Sequence, residues 1–223
     1  MPDRPLSVPA RLCLLGWDAA RPGSADAAGL RRLVRAGALA ELARSGLLVD
    51  QDGVAVPAGP DDACGDAALD GLLELVRESV PRRWRGWVRP YARVTFDAVR
   101  EQLVADGFLR AERRRVLGVF PSVDHVVARP GVARSLREEV RDVLDGALPV
   151  AEVPERDAAV AALAGAAGLR TLGGGRTDPD RERRLDALTV RAGTGAPAVR
   201  RALRELRAAV AAEPERPGVP TGG

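Results

Sequence analysis

Residues 87–121 read WVRPYARVTFDAVREQLVADGFLRAERRRVLGVFP. This stretch predicts a helix that ends at Gly107 and continues into a β-hairpin, because apolar residues recur at helical spacing before the glycine and in two short runs after it. The predicted strands are residues 108–110 and 116–120, around a turn at residues 112–114. The predicted buried face of the helix consists of Tyr91, Val94, Ala98, Val99 and Leu103.

A second face of the same predicted helix carries Arg93, Phe96 and Arg100, which are spaced by three and four residues. Side chains at this spacing are neighbours on a helix surface. Arginine binds phosphate through a planar fork of several donors. A helix lined with arginine beside a hairpin therefore favours an anion-binding surface over a catalytic centre.

The composition limits both the fold and the partners. Hydrophobic residues make up 46% of the 223 residues but aromatic residues only 3%, so the core must consist of Leu, Val and Ala, which favours helices. All 34 basic residues are arginine, and 31 acidic residues reduce the net charge to +3. Any basic surface must therefore be local, which argues against a uniformly positive nucleic-acid-binding protein.

The number of cysteines and the length of the apolar runs indicate the cellular compartment. Cys13 and Cys64 are the only cysteines, and they fit neither a metal-binding spacing nor a disulfide scaffold. No apolar run approaches the roughly 18 residues of a membrane-spanning helix, and the first residues do not read as a signal peptide. We therefore expect a cytoplasmic protein, and the strong bias toward arginine is typical of a bacterial one.

The rest of the chain predicts a mainly α protein. Asp50 to Gly53 separates two short apolar strands, residues 47–49 and 54–56, and predicts a first hairpin. The predicted fold is a single globular multi-helix domain with two β-hairpins over residues 1–212, followed by a disordered tail over residues 213–223. Besides the helix before Gly107, helices are predicted over residues 6–15, 27–44, 66–78, 132–144, 155–167, 178–190 and 197–212.

Several short blocks resemble, in order and spacing, those of the Golgi phosphoprotein 3 family. The likeness extends from about Leu12 to Ala212. The blocks are Glu41 to Leu48 (ELARSGLL), Gly65 to Asp70 (GDAALD), Trp87-Val88, Val99 to Leu109 (VREQLVADGFL), Val116 to Pro121 (VLGVFP) and Ala161 to Leu169 (AALAGAAGL).

This resemblance implies a peripheral membrane protein that binds phosphatidylinositol 4-phosphate. In the family the headgroup pocket combines a tryptophan and an arginine on one helix with two arginines on another. Counted without gaps, these positions fall on Asp26 and Arg35, and on Arg93 and Phe96. The resemblance thus implies a non-enzymatic protein without cofactors, which binds anionic phospholipid headgroups on the inner face of the membrane through Arg35, Arg93 and Phe96. Arg100, on the same helical stripe as Arg93 and Phe96, is the fourth candidate for this site.

Two interpretations remain open for these side chains. Arg35 and Arg93 either coordinate a phosphate from two helices or form a solvated face that pairs with acids such as Asp97. Phe96 either stacks under a guanidinium, enters the headgroup region of a bilayer, or belongs to the core.

Further membrane contacts are predicted at Trp84, Arg113 and Arg114. Trp84 and Trp87 flank arginines, as interfacial anchors do, but the family position of Trp87 favours packing against the domain. The arginines of the second hairpin are either solvated at a turn or attracted to anionic lipid. In the family this hairpin is associated with self-association, so the 108–120 hairpin is also a candidate for forming a homo-oligomer.

Other functional classes find less support. Gly173 to Gly175 lacks the lysine and serine of a phosphate loop, and no nucleophile motif accompanies His125, so we do not expect an enzyme. Two alternatives to lipid binding remain. One is a protein-interaction scaffold with a vestigial pocket; the other is a winged-helix-like nucleic-acid-binding protein, since a helix followed by a hairpin with arginines also fits that fold.

Overall fold

The computed structural model describes residues 5–17, 25–116, 120–173 and 179–212. The predicted tail at residues 213–223, and Gly174 and Gly175 of the glycine run, lie outside these ranges. Eight helices occur within the described ranges: α1 (Val8–Gly16), α2 (Ala25–Arg44), α3 (Ala67–Arg77), α4 (Ala92–Ala105), α5 (Pro130–Asp145), α6 (Glu155–Ala166), α7 (Pro179–Ala192) and α8 (Pro197–Ala211). Each corresponds to a predicted helix, and the mainly α fold is confirmed.

Two helices form the centre of the core. Every residue from Leu33 to Ala40 in α2 and from Ala158 to Ala164 in α6 is buried. In α6 most of these side chains are alanines, which allow neighbouring helices to approach closely. Helix α6 consequently packs against α1, α2, α5, α7 and α8. The aromatic-poor composition is thus accommodated by close packing between helices rather than by large side chains.

The first hairpin is confirmed and gains a third strand. Strands β1 (Leu48–Gln51) and β2 (Val54–Pro57) pair in antiparallel fashion around Asp52 and Gly53, both of which have positive φ. Positive φ at both central residues is what a tight two-residue hairpin turn requires. The dipeptide β3 (Arg82–Arg83) pairs with β2, so the order of the sheet is β1-β2-β3.

The second hairpin is longer than predicted. Strands β4 (Leu109–Val116) and β5 (Phe120–Val127) pair with Arg113 opposite Val123. The predicted turn at residues 112–114 is wrong because these residues lie inside β4, and the second strand continues well beyond its predicted end at residue 120, to Val127. The arginine run gives no apolar alternation, so backbone pairing with β5 defines this strand where the side-chain pattern does not.

Helix α4 is rotated relative to its predicted buried face. Val99 and Leu103 are buried as expected, but Tyr91 is 55% exposed and Val94 62% exposed. The side chains that complete the buried face are Ala92 and Thr95. Two overlapping stripes have the same helical spacing in this segment, and the hydrogen bond made by Thr95 favours the stripe with smaller side chains. Two apolar side chains are therefore left on the surface.

Candidate functional site

The segment 82–94 leads from β3 into the first turn of α4 and carries five arginines with no acidic residue. All five side chains are on the surface. Arg85 pairs with Glu205 at 2.9 Å, and Arg93 pairs with Asp97 at 3.5 Å across one helical turn. Within the described ranges, the side chains of Arg83 and Arg89 form no hydrogen bond or ion pair. Guanidinium groups without a neighbouring carboxylate remain available to an external anion.

Helix α4 begins without a capping side chain. Its N-cap residue, Tyr91, has a left-handed backbone (φ 56°, ψ 17°), and its side chain makes no capping hydrogen bond. The Tyr91 carbonyl oxygen accepts from the Val94 amide at 2.9 Å. The exposed side chains of Tyr91, Arg93 and Val94 therefore surround the first turn of the helix.

Arg35 lies beneath this turn and has no solvent-exposed surface. Its Nε donates to the Trp87 carbonyl oxygen at 3.1 Å, and its Nη1 donates to Thr95 Oγ1 at 2.5 Å. The remaining nitrogen, Nη2, is buried and has no hydrogen-bond partner among the described residues. Arg35 thus joins α2 to both the Trp87 turn and the first turn of α4.

The charge of Arg35 is not balanced by a carboxylate within the part of the chain that the structure describes. Burial lowers the pKa of Arg35 to about 10, so its guanidinium still carries a positive charge at neutral pH. A phosphate coordinated jointly by Arg35 and Arg93 does not fit this geometry, because the buried Arg35 has no accessible surface while the Arg93 side chain is 77% exposed.

The two tryptophans of the segment are both internal. The Trp84 indole is fully buried, and its Nε1 donates to Asp50 Oδ1 at 2.7 Å. Asp50 also accepts from Arg201 at 3.0 Å. The prediction that Trp84 contacts the membrane is therefore wrong in this structure. Trp87 is buried as expected, and the Arg82 guanidinium lies 5.4 Å from the centre of its ring.

Phe96 and Arg100 face a different neighbourhood. Phe96 is half-buried and stacks in parallel on Trp17, with 5.9 Å between the ring centres. Arg100 is also half-buried and donates to Asp97 at 2.8 Å. Phe96 therefore pairs with an indole rather than a guanidinium, and Arg100 is held in an ion pair on its own helix.

Trp17 was not singled out from the sequence. Its Nε1 donates to the His125 carbonyl oxygen at 3.0 Å, and the His125 ring meets the indole edge-on at 6.3 Å. Trp17 thus connects the end of α1 to α4 and β5. The available signal was an aromatic residue directly after the buried sequence Leu14-Leu15-Gly16, but nothing in its spacing relates it to Phe96 or His125.

The predicted membrane contacts on the second hairpin remain predictions. The backbone of Arg113 and Arg114 lies in β4, but their side chains fall outside the described part of the structure. On the facing strand, the Val123 side chain is 56% exposed.

A separate cavity of about 140 Å³ lies where several helices end, near the C-terminal end of α4. Its carboxylates are largely engaged. Glu41 accepts from the Val8 amide and pairs with Arg156, while Asp66 accepts from two backbone amides and from the Gln102 side chain. These bonds hold helix ends together, so we assign the cavity a structural role.

The described ranges offer little support for a metal site, a reactive cysteine or a membrane-spanning helix. No group of three His, Cys, Asp or Glu side chains there is arranged to hold a metal ion. Burial raises the pKa of the Cys13 thiol far above its usual value, so Cys13 remains protonated at neutral pH. No helix in the described ranges has the length and apolar character needed to span a bilayer.

Comparison with known proteins supports the family resemblance. The sequence profile of Golgi phosphoprotein 3 (GPP34) matches residues 8–206. This range covers most of the chain and contains α1 to α7, both sheets and most of α8. No protein with a curated description matches the chain.

Proposed function

Since this chain belongs to the Golgi phosphoprotein 3 family, we propose that it is a non-enzymatic protein that binds peripherally to membranes rich in anionic phospholipid. In a bacterial cell this surface would be the inner face of the cytoplasmic membrane. The binding region is segment 82–94. Phosphatidylinositol 4-phosphate and other anionic phospholipids share the phosphate chemistry that this region recognises.

The observation that carries this proposal is the exposure of five guanidinium groups on a segment without a carboxylate. Each basic side chain near an anionic membrane contributes about 1 kcal/mol of attraction. Arg83 and Arg89 are free of internal partners among the described residues, so they give up no ion pair on binding. Because the net charge is only +3, attraction to an anionic surface depends on such local concentrations of arginine.

The burial of Arg35 affects the expected selectivity. Without a second arginine facing Arg93 from α2, the exposed arginines contact several phosphates of the surface instead of enclosing one headgroup. We therefore expect binding to follow the surface charge of the membrane. Vesicles with phosphatidylglycerol and vesicles with phosphatidylinositol 4-phosphate should bind equally well when their charge density is the same.

Vesicle co-sedimentation tests the proposal directly. The wild-type protein is expected to sediment with vesicles that contain phosphatidylglycerol, and much less with neutral phosphatidylcholine vesicles or at high salt. The double variant Arg89→Glu with Arg93→Glu should lose this binding. A matched control is Arg134→Glu with Arg183→Glu, which changes the net charge equally on exposed positions of α5 and α7 and should bind like the wild type.

Two results would contradict the proposal. One is absence of binding to anionic vesicles at low salt. The other is equal loss of binding in both double variants, which would indicate a response to net charge rather than to segment 82–94. Preference for phosphatidylinositol 4-phosphate at matched charge would instead indicate an enclosed headgroup site and contradict the expected selectivity.

Self-association through the second hairpin is a further proposal. It is supported by the exposed Val123 side chain on β5, an apolar group on a strand of a two-stranded sheet. Sedimentation velocity would test it by comparing the wild type with Val123→Asp. A concentration-dependent dimer that Val123→Asp abolishes would support self-association, and a wild-type monomer at all concentrations would exclude it.

A further inference from the structure

Tyr91 and Val94 form an apolar pair on the surface of the first turn of α4. They are three residues apart, Tyr91 as the N-cap and Val94 in the first turn, and both are more than half exposed. Arg93 lies between them in sequence, and its side chain is also exposed. An aromatic and an aliphatic side chain are thus presented together with a guanidinium.

Nothing inside the described structure explains why a tyrosine occupies position 91. Its φ of 56° is unfavourable for a bulky side chain and is adopted far more readily by glycine or asparagine. The Tyr91 hydroxyl has no hydrogen-bond partner and the ring no aromatic partner within the described ranges. A bulky residue in an unfavourable conformation, whose hydroxyl and ring have no polar or aromatic partner within the described ranges, points to a contact outside the molecule.

The surroundings of Tyr91 hold this conformation in place. Arg35 fixes Trp87 on one side of the turn and Thr95 on the other. Pro90, directly before Tyr91, has a restricted φ of its own. The backbone that presents Tyr91 is therefore fixed at both ends by bonds that do not involve its side chain.

We propose that Tyr91 and Val94 insert into the boundary between headgroups and acyl chains of an anionic bilayer. This inference rests on the proposed function, since the surrounding arginines must first bring segment 82–94 to the membrane. Charge complementarity identifies the occupant as a bilayer, because a protein surface would need several carboxylates facing five arginines and an apolar pocket between them. Tyrosine is enriched at this depth of a membrane, and the arginines reach the phosphates while their stems lie along the apolar pair.

Tryptophan placed at position 91 or 94 reports insertion. On addition of anionic vesicles, the emission of Tyr91→Trp and of Val94→Trp should shift to shorter wavelength and be quenched by phospholipids with brominated acyl chains. The matched control is Leu148→Trp, at an exposed apolar position between α5 and α6, whose added emission should not change. The native tryptophans are subtracted by measuring the wild type in parallel.

Loss of the side chain provides a second measurement. Asparagine tolerates a left-handed backbone, so Tyr91→Asn should not lower the melting temperature. It should nevertheless weaken the partitioning onto anionic vesicles roughly tenfold, because the favourable transfer of one large side chain from water into the membrane is lost. Leu148→Asn should leave partitioning unchanged. A variant that keeps its stability and loses binding identifies a contact with the membrane rather than a role in folding.

The possible failures are distinct. Normal co-sedimentation together with unquenched emission at positions 91 and 94 would overturn insertion and leave electrostatic binding intact. Unchanged partitioning of Tyr91→Asn would also overturn insertion. Absence of wild-type binding to anionic vesicles would overturn both insertion and the proposed function.

Discussion

Helices α3 and α4 begin in opposite ways. The first turn of α3 is closed by Asp66, whose carboxylate accepts from the amides of Ala68 and Leu69. Asp70 accepts from the amides of the two residues that precede Asp66, at 2.7 Å from Cys64 and 3.0 Å from Gly65. The first turn of α4 has no capping side chain and is surrounded by arginines.

The difference lies in the sign of the neighbouring charge. The N-terminus of a helix carries a partial positive charge, which carboxylates stabilise and cations do not. At α3 the anions come from the protein itself. At α4 the nearby charged side chains are Arg93, which pairs with Asp97 one turn further along the helix, and the buried Arg35, which has no carboxylate partner within the described ranges. The start of α3 thus serves the fold, and the start of α4 is the region that we propose to contact an external anion.

Arg35→Ala is expected to have the largest effect on stability. It removes a fully buried side chain and leaves the Trp87 carbonyl and Thr95 hydroxyl without their donor, so the free energy of unfolding should fall by about 3 kcal/mol. Chemical denaturation followed by circular dichroism measures this change. Arg93→Ala, at an exposed position, should change stability by no more than about 0.5 kcal/mol.

Arg35→Met separates the charge of Arg35 from its volume. Methionine keeps the apolar stem and removes a charge whose burial is unfavourable, as the lowered pKa of Arg35 indicates. We expect it to be clearly less destabilising than Arg35→Ala. Equal stability of Arg35→Ala and the wild type would show that the buried guanidinium does not hold the two turns together.

Asp66→Ala, which removes the cap of α3, should destabilise the protein less than Arg35→Ala. Loss of the cap releases the amides of Ala68 and Leu69 and the bond from Gln102, and should lower the free energy of unfolding by about 1 kcal/mol. Binding to anionic vesicles should not change, because α3 lies outside segment 82–94. Asp61→Ala, in an exposed loop, is the control for loss of a negative charge. Weaker binding of Asp66→Ala alone would mean that the two helix starts are coupled.

The sequence predicts these two helix ends unequally well. The start of α3 could be predicted, because an acidic residue directly precedes an apolar period and both belong to a block that resembles the family. The start of α4 could not be predicted, because two possible buried faces, one through Tyr91 and one through Ala92, have the same helical spacing. The choice between them depends on Thr95, whose hydroxyl binds an arginine 60 residues earlier in the chain.

Arg35 shows a second limit of prediction from sequence. Its position in the family predicts a side chain that binds phosphate. Charged side chains are also seldom fully buried without a partner, so the sequence predicts an accessible Arg35. The structure buries it nevertheless, because its donors meet a backbone carbonyl and a hydroxyl that the sequence does not bring together. The exposed Arg93 could be predicted from its place on a polar stripe, since that needs only the helix itself.

His125 contacts Trp17, which stacks on Phe96 in α4. Protonation of His125 is expected to have the smallest effect on stability. Burial is the main cause that lowers the pKa of His125 below 6.5, and Arg100 adds to it, while Asp124, Asp97 and Glu101 oppose it. The unfolded chain therefore binds a proton at higher pH than the folded one. Stability should be fully present above pH 6.5 and decrease as the pH falls through the lower pKa of the folded state.

This decrease can be assigned because His125 is the only histidine, and no other side chain has an ordinary pKa between about 5 and 8. Unfolding measured at pH 7.5 and pH 5.5 should show a loss of stability in the wild type that is smaller than that of Asp66→Ala and is reduced in His125→Gln. An equal loss in His125→Gln would assign the pH dependence to carboxylates. A loss confined to the wild type would assign the pH dependence to protonation of His125.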